Sequence, residues 1–389
     1  MSEWLRLSLL TSNWKGPMKE FYRNKTIMIT GAAGTIGKEL VRQLVDLEPA
    51  GLRLLDNNET ELFLLGKKYQ ALGIVRVFLG DVRDLQKLEN IARGVDIIFH
   101  AAALKHVDIS EYNPFDAVQT NIIGVKNVVQ AAITCNVPRL IFTSSDKAVN
   151  PTSVMGTSKL MGERIVTAAN IVNTNGHQIF SSVRFGNVLG SRGSVVHIFA
   201  NQIRRGQAVT VSDARMTRFI MSIEQAAQLV LEGAMRACGG EVFVTKMPVV
   251  RILDLAQAMI ELLAPQVGLQ PDQVKISFIG AQPGEKFYEE LMTEEEARRT
   301  KELPTMFAIL PSYRAFYRAI NYYYPDALPD RENLQPYISS LEPALTKEEI
   351  KEFLVQHRIL DDFLVPCPQM PGLQLAAPET TQAADKAYH

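Results

Sequence analysis

The stretch Phe142–Glu163, FTSSDKAVNPTSVMGTSKLMGE, places two hydroxyls, an acid and an amine side by side at Ser144, Ser145, Asp146 and Lys147. Such a row can give one proton to a bound molecule and take another from it, which is the requirement of general acid–base chemistry. Lys159 follows Met155 by four residues, one helical turn along the same face. The apolar run Leu140–Phe142 predicts a buried strand, and the residues after the cluster lead into a helix. The cluster is therefore expected at the carboxyl end of a parallel strand, where open α/β sheets bind their ligands.

Positioning such a cluster needs the rest of a sheet, and the chain supplies it. Lys25–Thr30 reads as a strand that runs into Gly31-Ala-Ala-Gly34-Thr35-Ile36-Gly37 and then the helical pattern Lys38–Leu47. Strand, glycine turn and helix in succession form a dinucleotide site, because backbone amides can approach a pyrophosphate at a helix N-terminus. Leu52–Leu55 predicts the second strand, ending in Asp56 about 20 residues past the glycines, where an acid that binds the adenine ribose belongs. Asn57 and Asn58 follow it, with no arginine to meet a 2′-phosphate, so NAD is expected rather than NADP. Val75–Leu79 predicts a third strand that delivers Asp81 and Val82 toward the adenine. Val95–Phe99 predicts a fourth, whose small residues Ala101 and Ala102 admit the middle of the cofactor and whose Lys105 and His106 project over the crevice. Asn121, in an expected helix Phe115–Thr134, is placed to bond the backbone of the active-site strand. Gln178–Phe185 and the loop carrying Asn187 complete a pattern of at least six strands alternating with helices. The fold class is α/β, a Rossmann-type doubly wound parallel sheet with a smaller C-terminal α/β substrate-binding region.

Beyond Ser191 the arginines Arg192, Arg204, Arg205, Arg215 and Arg218 suit a diphosphate, which guanidinium groups bind through forked hydrogen bonds. Amphipathic helices are expected at Ile223–Met235 and Ile252–Leu263, around a strand at Glu241–Thr245. A loop Gly284-Glu285-Lys286 precedes an expected helix Tyr288–Arg298. The expected organisation is an N-terminal extension (1–24), a nucleotide-binding domain (25–190) to which 219–262 returns, a mainly substrate-binding region (191–360) and a disordered tail (361–389). With 41 basic and 42 acidic residues the net charge is −1, which offers no electrostatic attraction to nucleic acid or an anionic membrane. Cys135, Cys238 and Cys367 share no metal-ligand spacing and read as reduced thiols. No apolar run reaches the roughly 20 residues that cross a bilayer, and the expected location is cytoplasmic.

The segments GAAGTIG, LGDVRD, FHAAALKHV, SSDKAVNPTSVMGTSK, RFGNVLGSRGSV, MTRFIM and PGEKFYEEL closely resemble, in one collinear order from Lys25 to Leu360, the extended short-chain dehydrogenase/reductases. Within these they resemble the nucleotide-sugar 4,6-dehydratases of bacterial polysaccharide biosynthesis. The resemblance implies bound NAD and a UDP-N-acetylglucosamine substrate, oxidised transiently at carbon 4 while water is lost across carbons 5 and 6. Met155 stands where most of the superfamily has tyrosine, which places the chain with a tyrosine-less branch. Carried over residue by residue, Asp146 is the general acid for the departing hydroxyl and Lys147 the base for the carbon 5 proton. Ser145 relays the carbon 4 hydroxyl proton, and Lys159 binds the nicotinamide ribose. Lys147 must then be neutral, with Lys159 and the oxidised nicotinamide as the expected source of the positive charge that lowers its pKa. Lys105, His106, Asn187, Arg192, Arg218 and Glu285 are the expected substrate contacts. Pairing through two long helices, Phe115–Thr134 and Gly156–Thr174, implies a homo-oligomer. A GDP-sugar substrate, a nucleotide-sugar 4-epimerase and a non-catalytic NAD-binding protein remain open alternatives.

Overall fold

Side-chain alternation builds the centre of the molecule. In the computed structural model, which describes residues 15–172, 178–281, 284–317, 320–329 and 334–364, strand β1 (Thr26–Thr30) sends Ile27 and Ile29 into one core and Met28 into another. Strand β4 (Ile97–His100) divides Ile97 and Phe99 from Ile98 in the same way, and β5 (Arg139–Ser145) divides Ile141 from Leu140 and Phe142. Strands that are apolar on both faces must be covered on both, which yields a parallel sheet between two helical layers. The residues before 15 and after 364, expected as most of the extension and the tail, lie outside the described segments.

Among the described residues the sheet has nine strands. With β2 (Gly51–Asp56), β3 (Val75–Leu79), β6 (Ile179–Phe185) and β10 (Val242–Thr245), the order β3-β2-β1-β4-β5-β6-β10 is parallel throughout. The order reverses between β1 and β4, so a crevice opens beyond their carboxyl ends. Two strands that sequence reading missed extend one edge: β15 (Met306–Ile309) pairs antiparallel with β10, and β14 (Thr300–Glu302) antiparallel with β15. They come from deep within the region expected to serve the substrate.

β5 continues three residues past its apolar run, because Ser144 and Ser145 still pair with Arg184 and Phe185 of β6. The cluster thus leaves a strand clamped from both sides. Helix α1 (Thr35–Val45) follows the glycine turn, and α2 (Glu59–Tyr69) follows β2. The helix expected over Phe115–Thr134 is in three parts: Pro114–Ala117, a π-helical stretch Val118–Ile123, and α3 (Gly124–Thr134). The π turn holds Asn121, whose side chain bonds both the N–H and the carbonyl of Leu104 and the hydroxyl of Ser158. It therefore pins the loop after β4 to helix α4 (Val154–Val172), not the active-site strand.

A second lobe packs around its own core of Val196, Phe199, Ile203, Ile220, Leu255, Met259 and Phe353. Helices α5 (Val195–Arg204), α7 (Ile252–Leu263) and α8 (Lys347–Gln356) supply most of it. Helix α6 (Ile223–Arg236) instead joins the core of the large sheet through Ala226, Leu229 and Val230. Small sheets complete the lobe: β7 (Asn187–Val188), β9 (Thr217–Met221) and β11 (Val249–Arg251) in one, β8 (Val209–Val211) with β12 (Ile276–Phe278) in another. The helix expected over Tyr288–Arg298 does not form. Its place is taken by strand β13 (Glu290–Met292), paired with β16 (Tyr337–Ile338), and a short helix Glu294–Ala297. The reason is local: Thr293 and Glu296 cap each other's backbone N–H groups and start the helix there.

Candidate active site

The glycine turn is shaped by what it touches. Gly31 has φ 67°, and a Cβ on it would lie 2.6 Å from the Ala102 nitrogen and 2.7 Å from the Ala101 carbonyl carbon. A Cβ on Gly37 would overlap the Gly31 carbonyl oxygen. These two positions admit only glycine because the chain presses on itself. Gly34 is different: it is exposed and caps α1 without a side-chain partner, leaving the N–H groups of Thr35, Ile36 and their neighbours for an external acceptor. A pyrophosphate fits that demand. Asp56 stands beside the turn, its two oxygens accepting from the N–H groups of Ala33 and Asn58, each at 2.9 Å. Asn58 itself caps α2 by accepting from the Glu61 N–H. Asp81, expected at the adenine edge, is forked to Arg83 at 2.9 and 2.8 Å, and that hydrogen bond holds its pKa below the usual carboxylate range. Val82 is buried against Gly124.

At the end of β5 the cluster assembles through side chains. Ser145 Oγ donates to Asp146 Oδ1 at 2.7 Å, and Lys147 Nζ donates to the same oxygen at 3.0 Å. Asp146 is 1% exposed. Asn187 approaches its other oxygen at 3.5 Å. Burial alone would lower the Lys147 pKa, but the carboxylates of Asp146 and Glu289 reverse this and hold it above its ordinary value, so the amine is an ammonium. This differs from the neutral lysine expected from sequence. The cation that opposes the two carboxylates is Arg218, not Lys159. Lys159 is buried under the cluster, donating to the Thr143 carbonyl at 3.0 Å over the ring of Phe142. Burial lowers its pKa to about 8, against the charge of Glu163. Met155 is also buried, and its carbonyl accepts from Ser158. Beside them the Ser144 hydroxyl and His100 Nε2 have no hydrogen-bond partner among the described residues.

In front of the cluster lies a cavity of about 860 Å³. Lys147 forms part of its wall, with Lys105, His106, Asn187, Arg218 and Glu285 from the expected substrate set. The wall contributed by α5, the segment of β8 and the start of α7 is mostly apolar, made by Val195, Ile198, Phe199, Val211 and Leu255, with Thr210 and Ser212 as polar exceptions. Arg192 turns elsewhere: its guanidinium pairs with Glu61 of α2 at 3.0 Å, and its carbonyl accepts from Lys105 Nζ at 2.6 Å. Arg218 is anchored by the carbonyls of Thr217 and Lys286, each at 2.8 Å, with Glu289 at 3.6 Å and Glu285 at 3.8 Å. Glu289 is a charged wall residue that sequence reading missed. The segment FYEEL offers two acids, and only the start of β13 at Glu290 separates them: Glu290 bonds Asn150, while Glu289 is buried against Lys147.

Residues 27–311 match the model of a family described as polysaccharide biosynthesis proteins. The chain belongs to that family. Over 76% of its length it is 49% identical to an uncharacterised membrane protein of Methanocaldococcus jannaschii, covering 88% of that protein. It is 37% identical to an inverting UDP-N-acetylglucosamine 4,6-dehydratase of Campylobacter jejuni, across 75% of this chain and 85% of the relative. A UDP-glucose 4-epimerase of Rickettsia canadensis matches at 34% identity, across 85% of this chain and 96% of its own. Among solved structures, Pen from Bacillus thuringiensis superposes with a TM-score of 0.78 at 40% identity, covering 86% of this chain and 98% of its own. No helix of the described residues is long and apolar enough to cross a membrane.

Proposed function

We propose that this family member is an NAD-dependent nucleotide-sugar 4,6-dehydratase acting on UDP-N-acetylglucosamine. The observation that carries the reading is the Ser145–Asp146–Lys147 contact chain, whose Lys147 lines the cavity together with Asn187, Arg218 and Glu289. NAD would be held by the amides of Thr35–Gly37, with its adenosine ribose on Asp56 and its nicotinamide ribose on Lys159, and would supply a place to deposit a hydride and recover it. Everything else is proton traffic through this chain's own groups. Ser145 takes the carbon 4 hydroxyl proton as it passes its own to Asp146. Asp146, now a neutral acid, protonates the carbon 6 hydroxyl, which leaves as water. Lys147 removes the carbon 5 proton, acidic because carbon 4 has become a carbonyl, and returns it after the hydride reaches carbon 6. The net loss is one water. Ser145 and Asp146 thus take over the proton transfer that the superfamily assigns to a tyrosine, and Met155 has none to perform.

The likeness to a 4-epimerase favours a second reading, in which hydride leaves and returns at carbon 4 alone. That reaction has no use for an acid and an amine bonded to one another. Purified protein incubated with UDP-N-acetylglucosamine distinguishes the readings by sugar mass. Loss of one water supports the dehydratase; an isomer of unchanged mass supports the epimerase; no change refutes both for this substrate.

Asp56→Ala is expected to weaken NAD binding about 10- to 100-fold, since charge-assisted hydrogen bonds contribute roughly 1.5–3 kcal/mol each. It also removes the acceptor that steadies Ala33 in the turn. Preference over NADP falls with it. Titration of both cofactors checks this, and unaltered selectivity removes Asp56 from the ribose.

The outer faces of the two helical segments expected to pair expose Phe115, Val118 and Ile123 on one and Met161 and Ile171 on the other. A second copy of the chain would cover them. Sedimentation at micromolar concentration is expected to show a dimer or larger, and a monomer ends that inference.

A further inference from the structure

The dehydratase reading leaves one proton without a destination. Asp146 can accept the proton that leaves the carbon 4 hydroxyl through Ser145, and a carboxylate holds one proton only. Lys147, an ammonium beside two carboxylates, must also shed a proton before it can take one from carbon 5. Glu289 is placed to receive it. Its Oε1 lies 3.4 Å from Lys147 Nζ, it is 3% exposed in the cavity wall, and its Oε2 is buried with no hydrogen-bond partner among the described residues. Its backbone is fixed on both sides of the peptide, the N–H donating to Ser339 Oγ and the carbonyl accepting from the Ser339 N–H, each at 2.9 Å.

We propose that Glu289 is a positioning residue that takes the proton Lys147 must release, and so turns Lys147 into a base without exchange with solvent. The inference rests on the dehydratase reading. In the step itself a Lys147 N–H bond breaks and a Glu289 O–H bond forms, leaving a neutral amine beside carbon 5 and a neutral acid behind it. Lys147 regains a proton from carbon 5 and gives it back there. Glu289 then returns its own to Lys147, and both groups finish as they began. The charged groups facing Glu289 are Asp146 and Lys147 from the turn after β5, Arg218 from β9, and Lys286 from its own segment, with Glu285 reaching Arg218. Burial and then the charge of Asp146 raise the Glu289 pKa, in the direction that lets it hold a proton.

The test is the pH dependence of kcat with UDP-N-acetylglucosamine. A proton shared inside the Lys147–Glu289 pair is the same at every pH at which the pair holds one, so the wild-type profile is flat across the neutral range. Glu289→Gln keeps the shape but cannot take a proton, and Lys147 must then deprotonate to solvent. Its kcat is expected to fall on the order of 100-fold near neutrality and to rise tenfold per pH unit, with NAD still bound. Glu289→Asp, which keeps an acid, is expected to be slower than wild type but flat. A Glu289→Gln profile parallel to wild type, however slow, overturns the proposal. If that variant does not fold, a wild-type kcat that itself rises tenfold per pH unit overturns it and a flat one supports it. Failure of the dehydratase reading looks different, because the wild type then releases no water at any pH.

Discussion

Lys147→Ala and Asp146→Asn are each expected to reduce net dehydration on the order of 100- to 10,000-fold, the usual contribution of a general acid or base. Neither residue touches the glycine turn, so NAD binding is expected to survive. The two variants fail at different points. Without Lys147 the carbon 4 hydroxyl can still be oxidised through Ser145 and Asp146, and reduced cofactor accumulates on adding substrate. Asparagine at 146 keeps the neighbours in place but cannot take the proton from Ser145, so the first step stalls and the cofactor stays oxidised. Nicotinamide absorbance on mixing with substrate separates these outcomes. Lys147→Ala also leaves the buried Asp146 and Glu289 carboxylates without the ammonium between them, which costs stability, so a melting curve must accompany the kinetics. Full activity in either variant refutes the assignment.

Local signals explain what was legible in the sequence. The glycine turn was readable because Gly31 and Gly37 are imposed by contacts within a short stretch of chain. The place of Asp56 beside the turn was readable for the same reason, since strand, turn and acid share one crossover unit. The proton state of Lys147 was not, because the Glu289 carboxylate that joins the neighbouring Asp146 in holding the ammonium arrives from 142 positions away. Arg192 shows the limit for surface loops: a guanidinium after a strand suits a diphosphate, but nothing local reveals that Glu61 and Lys105 hold its segment across the cleft. A helix was expected from Tyr288, whereas Thr293 begins it later and leaves Glu289 and Glu290 at the start of a strand. That error of a few residues hid the second carboxylate of the site.

UDP-N-acetylglucosamine is expected to be favoured over its GDP counterpart in kcat/KM, by as much as ~10,000-fold where a buried polar edge is left unpaired by the wrong base. A diphosphate is the same in both, so Arg218 and Asn187 cannot discriminate. The base is expected to be read at the apolar wall of the cavity, between Val195, Ile198 and Phe199 of α5 and Thr210, Val211 and Ser212 at the end of β8. The polar groups there are few and partly occupied. The Thr210 N–H and hydroxyl are both bonded to the Gln202 side-chain amide, and the Ser212 hydroxyl donates to Glu285 at 3.2 Å. A purine brings a second ring and more donors and acceptors than these leave free, while a pyrimidine asks less of the same wall. Ser212→Ala is expected to narrow the preference without touching the chemistry at Asp146 and Lys147. Side-by-side kcat/KM values for the two sugar nucleotides decide the point, and a preference for the guanosine form overturns the uridine assignment while leaving the dehydration mechanism intact.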